Sequence, residues 1–371
     1  MDKLVSQLNE ENHRGKIKCV IWDLDHTLWS GILSEGDRVT LTSGVKNVIE
    51  ALDSRGILQS IASKNNVEPV MEKLTELGLV DYFLYPQIGW QAKSQSIQKI
   101  ADTINIGKDT LLFIDDQPFE REEVTSEHPE VCCADVDIID RLLLLPALNP
   151  RFLTGESKMR RQLYMNDSHR NQLEESFEGP KDAFLESLSL EFSIGFAMEQ
   201  DLQRLEELVA RTNQLNTTGR IYSYEELDGF RQSVDYIMLT CSLNDKYGSY
   251  GKIGLALIHV EQDSWTIIAL LMSCRVMARG VGSVLLNYII NSARLNEKRL
   301  IAELIPNDRN RQMQVTYRFA GFQLSHTEEQ IDYYQHPLQE AVSYPDYVAV
   351  CAPSIDSALQ EVTTDEKEKT P

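Results

Sequence analysis

Two aspartates two residues apart, Asp23 and Asp25, stand in Trp22-Asp23-Leu24-Asp25-His26-Thr27-Leu28, directly after an apolar run. A second acidic pair, Asp115-Asp116, follows another apolar run, Leu111–Ile114. Ser63-Lys64-Asn65 follows a third, and Lys93 lies in a polar stretch just before a helical pattern. These residues fit phosphoryl transfer. A carboxylate approaches a phosphate dianion only where a cation cancels the repulsion, and Mg²⁺ prefers oxygen ligands. Asp23 and Asp115 are the expected ligands, which leaves the other oxygen of Asp23 free to attack phosphorus. Asp25 is expected to give a proton to the leaving oxygen and then take one from water. Ser63 is expected to hydrogen-bond the phosphoryl oxygens and Lys93 to neutralise the remaining charge. Thr27 and Lys64 join that phosphate-binding set. Asp116 and Asn65 are expected in support, Asp116 by tuning the metal site or bonding Lys93.

The elements that must position them alternate strand and helix. Strands are expected over 17–22, 57–62, 82–85 and 111–114, and helices over 43–55, 67–77 and 94–104. That alternation implies a parallel sheet covered by helices. Ligands of such sheets sit at the carboxyl ends of the strands, where the acidic residues stand.

This set resembles the haloacid dehalogenase superfamily, whose first motif is D-x-D-x-T/V. The resemblance implies that Asp23 forms an aspartyl-phosphate. It also implies that Asp25 is the acid/base and reaches the metal through its backbone carbonyl. The second motif's Ser, the third's Lys and the fourth's acidic pair have counterparts in Ser63, Lys93 and Asp115-Asp116, in order, over about 95 residues. The bland reading, that acidic residues cap strand ends on a solvated rim, accommodates one motif better than four. The short span from Asp25 to Ser63 leaves no room for a large cap after the first motif. The site is then open to a bulky substrate or covered by the second domain.

The later half holds Leu271-Met272-Ser273-Cys274-Arg275-Val276-Met277-Ala278-Arg279-Gly280-Val281-Gly282, then an apolar helix. A strand, a glycine-bearing loop and a helix N-terminus can bind an anion through backbone N–H groups. The stretch resembles the Q/R-x-x-G-x-G/A loop of GNAT-type acetyltransferases, with Gly280 and Gly282 in place and Met277 at the Gln/Arg position. Asn310, Met313, Thr316-Tyr317 and Gly321-Phe322 resemble a second stretch of that fold, with Met313 and Thr316 departing from its Ala and Leu. Arg211, Asn213 and Asn216 either line a groove there or cap the helix before them. Arg275 and Arg279 either contact a carrier's phosphate or serve solubility. Cys274 is either an acyl-carrying nucleophile or a small packing thiol.

The combination resembles the FkbH-like family. It is carried by Trp22–Gly31, Ser63–Asn66, Phe113–Glu122, Arg211-Thr212-Asn213-Gln214-Leu215-Asn216 and Ser273–Val276. That family usually has Asn where His26 stands. The resemblance implies a Mg-dependent glyceryltransferase/phosphatase of polyketide assembly. It would take D-1,3-bisphosphoglycerate and deliver a dephosphorylated glyceryl group to the pantetheine thiol of an acyl carrier protein. Two other readings stay open: a small-molecule phosphatase fused to a CoA-dependent N-acyltransferase, and a non-catalytic carrier-docking module.

The 371 residues carry 36 basic and 57 acidic side chains, a net charge of −21. Such a chain repels nucleic acid and anionic membranes on average, so neither is an expected partner. No apolar run is long enough for a membrane helix and no secretory signal is visible, so the expected compartment is the cytoplasm. None of the six cysteines forms a C-x-x-C pair, which argues against a structural zinc site. The expected fold is α/β: a Rossmann-like haloacid dehalogenase domain (16–150) followed by a GNAT-like α/β domain (186–352). An N-terminal extension (1–15), a connector (151–185) and a disordered tail (353–371) complete the division.

Overall fold

Three strands of the first half are buried along their whole length: CVIW, LQSIAS and LLFI. Strands covered on both faces read this way in parallel sheets. The structure, a computed structural model, describes residues 8–10 and 13–354. The chain divides between His169 and Arg170 into two compact units.

The first unit contains β1 (Cys19–Trp22), β2 (Trp29–Ser30), β3 (Thr40–Leu41), β4 (Leu58–Ser63), β5 (Gln87–Ile88), β6 (Leu111–Ile114) and β7 (Cys132–Ala134). Five of these form a sheet in the order β5-β4-β1-β6-β7, and every pairing in it is parallel. The other two make a short antiparallel hairpin. Helices α1 (Val45–Ser54), α2 (Val67–Glu76), α3 (Lys93–Ile104) and α4 (Pro118–Glu127) connect the strands. Helix α1 buries Val45, Val48, Ile49 and Leu52, and α3 buries Ile97, Ile100, Ala101 and Ile104, the spacing of one helical face. Strand pleating sends Val20 and Trp22 into the core shared with α1, and Cys19 and Ile21 into the core shared with α3.

Residues 82–85 differ from expectation. Val80–Tyr82 is a 3-10 turn. The run touches β4 only through a bridge between Gln59 and Phe83, and the left-handed φ of +50° at Tyr85 stops its extension. Pairing resumes at Gln87.

The expected connector forms α5 (Gly155–Lys158), α6 (Arg160–Glu175) and α7 (Lys181–Ser187). Its cations are engaged internally. Arg160 donates to the Gly56 carbonyl (3.0 Å), Arg161 grips Asp53 (2.8 and 3.2 Å), and Arg170 grips Asp245 (2.7 and 2.9 Å). The N-terminal extension and the tail lie for the most part outside the described residues.

The second unit has β8 (Leu190–Phe196), β9 (Tyr236–Asp245), β10 (Gly248–Val260), β11 (Ser264–Met272), β12 (Arg299–Leu304), β13 (Gln323–Glu328), β14 (Ile331–His336) and β15 (Val348–Cys351). They form a sheet in the order β13-β14-β12-β11-β10-β9-β8-β15. The β11–β12 and β15–β8 pairs are parallel and the rest antiparallel. Helices α8 (Leu202–Arg211), α9 (Tyr224–Gln232), α10 (Val284–Leu295) and α11 (Arg311–Phe319) pack on it. Most of α10 is buried. Among the described residues no helix is long and apolar enough to cross a membrane.

Candidate active site

Strands β1 and β6 are in register, with Trp22 opposite Ile114. The residues that follow, Asp23 and Asp115, therefore leave the sheet side by side. The Asp23 amide donates to the Ile114 carbonyl (2.9 Å) and the Asp115 amide to the Ala134 carbonyl (3.2 Å). After Asp23 the chain turns tightly, with the amides of Thr27, Leu28 and Trp29 all donating to the Leu24 carbonyl. His26 sits exposed at the tip with φ +57°, a left-handed conformation that Asn and His tolerate better than most residues.

Carboxylate oxygens of Asp23, Asp115 and Asp116 lie within 4.8 Å of one another. Lys93, the first residue of α3, reaches them from below. Its ammonium pairs with Asp23, sits 3.1 Å from Asp115 and donates to the Ala62 carbonyl at 2.6 Å. Lys93 is 3% exposed, Asp23 5% and Asp115 1%, so this charge is held out of water. Three carboxylates against one ammonium leave two negative charges uncompensated. Asp116 Oδ1 is buried without a hydrogen-bond partner. An oxygen-liganded divalent cation satisfies both conditions, so the residues present fit such an ion.

Burial pushes the Asp23 carboxyl up to about 6, with Asp115 adding to the rise and Lys93 opposing it. Burial and the neighbouring Asp115 also raise Asp116. Burial works against the Lys93 ammonium, but Asp23 and Asp115 outweigh it and hold its pKa above the ordinary lysine value. Lys93→Met therefore removes the one cation that this cluster contacts among the described residues. The metal-free variant should lose about 3–5 kcal/mol of stability, the cost of leaving buried carboxylates unpaired. A divalent cation should restore part of it. Thermal melts with and without the ion check this; equal melting of both proteins without metal contradicts it.

Several sequence expectations land elsewhere. The Asp25 carboxylate lies outside the three-aspartate cluster; the expectation for the metal concerned its backbone carbonyl alone. Its Oδ1 accepts from the Trp29 indole (2.7 Å) and the Leu33 amide (3.1 Å), and its Oδ2 from Asn65 (3.0 Å). Those donors fix its orientation beside the cluster. Thr27 is fully buried and accepts from the Asp116 amide at 3.1 Å, so it positions the acidic pair rather than a phosphate. Lys64 turns to Glu120, 2.6 Å away. Ser63 stays buried at the last position of β4.

Helix α4 had no signal as a scaffold in the sequence, yet its acidic face ties the site together. Glu120 holds Lys64, and Glu123 accepts from the Ser94 amide (3.0 Å) and from the Ser94 hydroxyl. The same helix thus anchors the segment after β4 and the start of α3. Arg121 donates to the Asp115 carbonyl at 2.6 Å and pairs with Asp135 at 2.9 Å.

In the second unit Cys274 opens a 3-10 turn, Cys274–Arg279, just beyond β11. It is partly exposed, whereas Cys19, Cys132, Cys133 and Cys241 are buried. Arg275 donates to the Tyr250 carbonyl (2.8 Å). Arg279 is 1% exposed and donates to Glu174 and Asn171, both at 2.8 Å. Burial removes Arg279 from the expected carrier contacts, and Arg275 is committed to the fold through Tyr250. Asn216 is also a fold residue: it accepts from the amides of Thr218 and Gly219. Arg211 and Asn213 are half-buried at the end of α8. The Gly280 carbonyl accepts from the Tyr347 hydroxyl (3.1 Å), and Gly282 has open space around it.

Comparison with known proteins agrees with the first unit's chemistry. Residues 2–123 match the family of haloacid dehalogenase-like hydrolases. No curated protein matches the chain. One similar solved structure is the N-terminal, phosphatase-domain part of a Bacteroides fragilis protein complexed with Mg. It is 31% identical over 36% of this chain and 41% of that one, with a TM-score of 0.32. The ribosomal-protein-S18-alanine N-acetyltransferase from Escherichia coli is 15% identical over 41% of this chain and 96% of its own, TM-score 0.32. A GNAT-family acetyltransferase from Streptococcus pneumoniae is 22% identical over 39% of this chain and 96% of its own, TM-score 0.30. The family match lies within the first unit, and the second is an α/β unit built on an eight-stranded sheet.

Proposed function

We propose that the chain is a Mg-dependent glyceryltransferase/phosphatase of the FkbH-like kind. It converts D-1,3-bisphosphoglycerate to a glyceryl thioester on an acyl carrier protein. The observation that carries the phosphatase half is the Asp23/Asp115/Asp116 cluster, its first two members buried and both bridged by Lys93. The resemblance of Arg211–Asn216 and Ser273–Val276, both in the second unit, to that family supports the transferase half.

The three aspartates would hold Mg²⁺, which supplies charge neutralisation for an incoming phosphomonoester. Lys93 holds the Asp23 carboxylate through one of its oxygens and so orients it for attack on phosphorus. Attack forms the Asp23 acyl-phosphate and releases the sugar-acid oxygen, which takes a proton from Asp25. Asp25 then accepts a proton from the water that hydrolyses the phosphoenzyme. The substrate's other phosphate is an acyl phosphate, a good leaving group for a thiol. Attack by Cys274 forms a glyceryl thioester and releases phosphate, and the carrier thiol then displaces Cys274.

Proton and metal compete for Asp23. With its carboxyl at about 6 in the metal-free protein, Mg²⁺ affinity should fall by about tenfold per pH unit below that value and level off above it. Titration calorimetry across that range checks this; constant affinity down to the ordinary carboxyl range contradicts it. The proposal as a whole is tested by phosphate release from D-1,3-bisphosphoglycerate with Mg²⁺ and with a chelator. Release should stop with the chelator, and an unaffected rate overturns the phosphatase reading.

A further inference from the structure

The chain carries 57 acidic side chains in 371 residues, yet residues 309–327 hold three arginines and no Asp or Glu. Helix α11 (Arg311–Phe319) lies within this stretch, and its inward face is set by Met313 and Tyr317, both buried. At 3.6 residues per turn, Arg311, Val315, Arg318 and Phe319 fall together on the opposite face, and all four are exposed. Phe319 is 89% exposed, more than any other large apolar side chain among the described residues, and Val315 is 42% exposed. Strand β13, next in the chain, is exposed along its whole length.

The two arginines differ from others of this unit. Arg170, Arg220 and Arg279 pair with Asp245, Glu303 and Glu174. The guanidinium groups of Arg311 and Arg318 have no hydrogen-bond or ion-pair partner among the described residues. In a chain of net charge −21, their positive charge is left uncompensated on a local surface without carboxylates.

A single exposed apolar residue needs no explanation. Two of them beside two unpaired cations on one helical face match an interface with an apolar centre and a charged rim, in which aromatic residues and Arg are enriched. The complementary partner is apolar at its centre and acidic around it. Arg311 and Arg318 stand seven residues apart, about 10 Å along the helix. Carboxylates two turns apart on a second helix have the same spacing, with room for an apolar side chain between them. A net charge of −21 disfavours a nucleic acid or an anionic membrane on this face.

We propose that the outward face of α11 is the docking surface for an acidic amphipathic helix of the acyl carrier protein. Arg311 and Arg318 meet its carboxylates, and Val315 and Phe319 meet its apolar side chains. The choice of partner rests on the glyceryltransferase reading; the composition of the face does not.

The test is calorimetric titration of the full chain with a pantetheinylated acyl carrier protein. Arg311→Glu/Arg318→Glu should weaken binding at least about tenfold, and Phe319→Ala should weaken it as well. High salt should weaken wild-type binding. Exchanging two carboxylates of one carrier helix for lysine should restore binding to the charge-reversed variant. Phosphate release from D-1,3-bisphosphoglycerate should stay at the wild-type rate in each variant, and matched thermal melts show that the fold is kept. Equal affinity of wild type and Arg311→Glu/Arg318→Glu overturns the proposal, as does a wild-type chain that binds no carrier. A wild-type dimer that Phe319→Ala converts to monomer, with carrier affinity unchanged, also overturns it and gives the face to a second copy. A carrier that binds through this face but gains no glyceryl group supports the docking surface and overturns the glyceryltransferase reading, so the two fail separately.

Discussion

Asp23→Asn is expected to abolish phosphate release, by at least about 10³-fold, while the protein stays folded. The amide has the volume of the carboxylate, and the position is 5% exposed, so packing is preserved. It removes the attacking oxygen and one of the cluster's two buried negative charges. The charge that is lost is one the metal-free protein gains nothing from holding, since burial raises this carboxyl to about 6. Lys93 keeps Asp115 at 3.1 Å as partner. Phosphate assays and a thermal melt on the same preparation separate chemistry from folding. Release at a near-native rate would remove Asp23 from its role.

Cys274→Ser is expected to stop transfer to the carrier and leave phosphate release from the phosphomonoester unchanged. The aspartate cluster lies in the first unit and Cys274 in the second, so the substitution leaves the metal ligands intact. A serine that captures the glyceryl group forms an ester, which reacts poorly with an incoming thiol. Were Cys274 only a packing thiol, serine would cost about 1–3 kcal/mol for a poorly satisfied hydroxyl, and transfer would persist in the folded fraction. Mass spectrometry of wild type and variant with substrate and no carrier checks this. A glyceryl-sized adduct on the wild-type Cys274 peptide supports the role. Wild-type transfer by the variant contradicts it and leaves direct attack by the carrier thiol.

Local pattern carried most of the first unit. The strand-like runs at Asp23, Ser63 and Asp115 are β1, β4 and β6, and the two aspartates follow β1 and β6 at their carboxyl ends. Side-chain destinations set by distant partners were not legible. Lys64 follows Ser63 and reads as a phosphate contact, but Glu120, 56 residues on, takes it. Thr27 lies in the first motif, yet its hydroxyl serves the Asp116 amide 89 residues away. Arg279 reads as a surface cation until α6 brings Glu174 and Asn171 to it. The isolated bridge from Asn216 to Leu271 left no periodicity, because so short a pairing has no strand pattern. Strand β15 pairs with β8 from 158 residues away, Val348 lying opposite Leu190. Such pairings are tertiary events that strand propensity does not encode.

The central claim is that one chain both removes a phosphate and places a glyceryl group on a carrier. Its most direct test is intact mass of the protein and a pantetheinylated acyl carrier protein after incubation with D-1,3-bisphosphoglycerate and Mg²⁺. The carrier is expected to gain a glyceryl group without phosphate, and Asp23→Asn should leave any adduct phosphorylated. A carrier of unchanged mass, with phosphate released all the same, would contradict the account and leave a phosphatase alone.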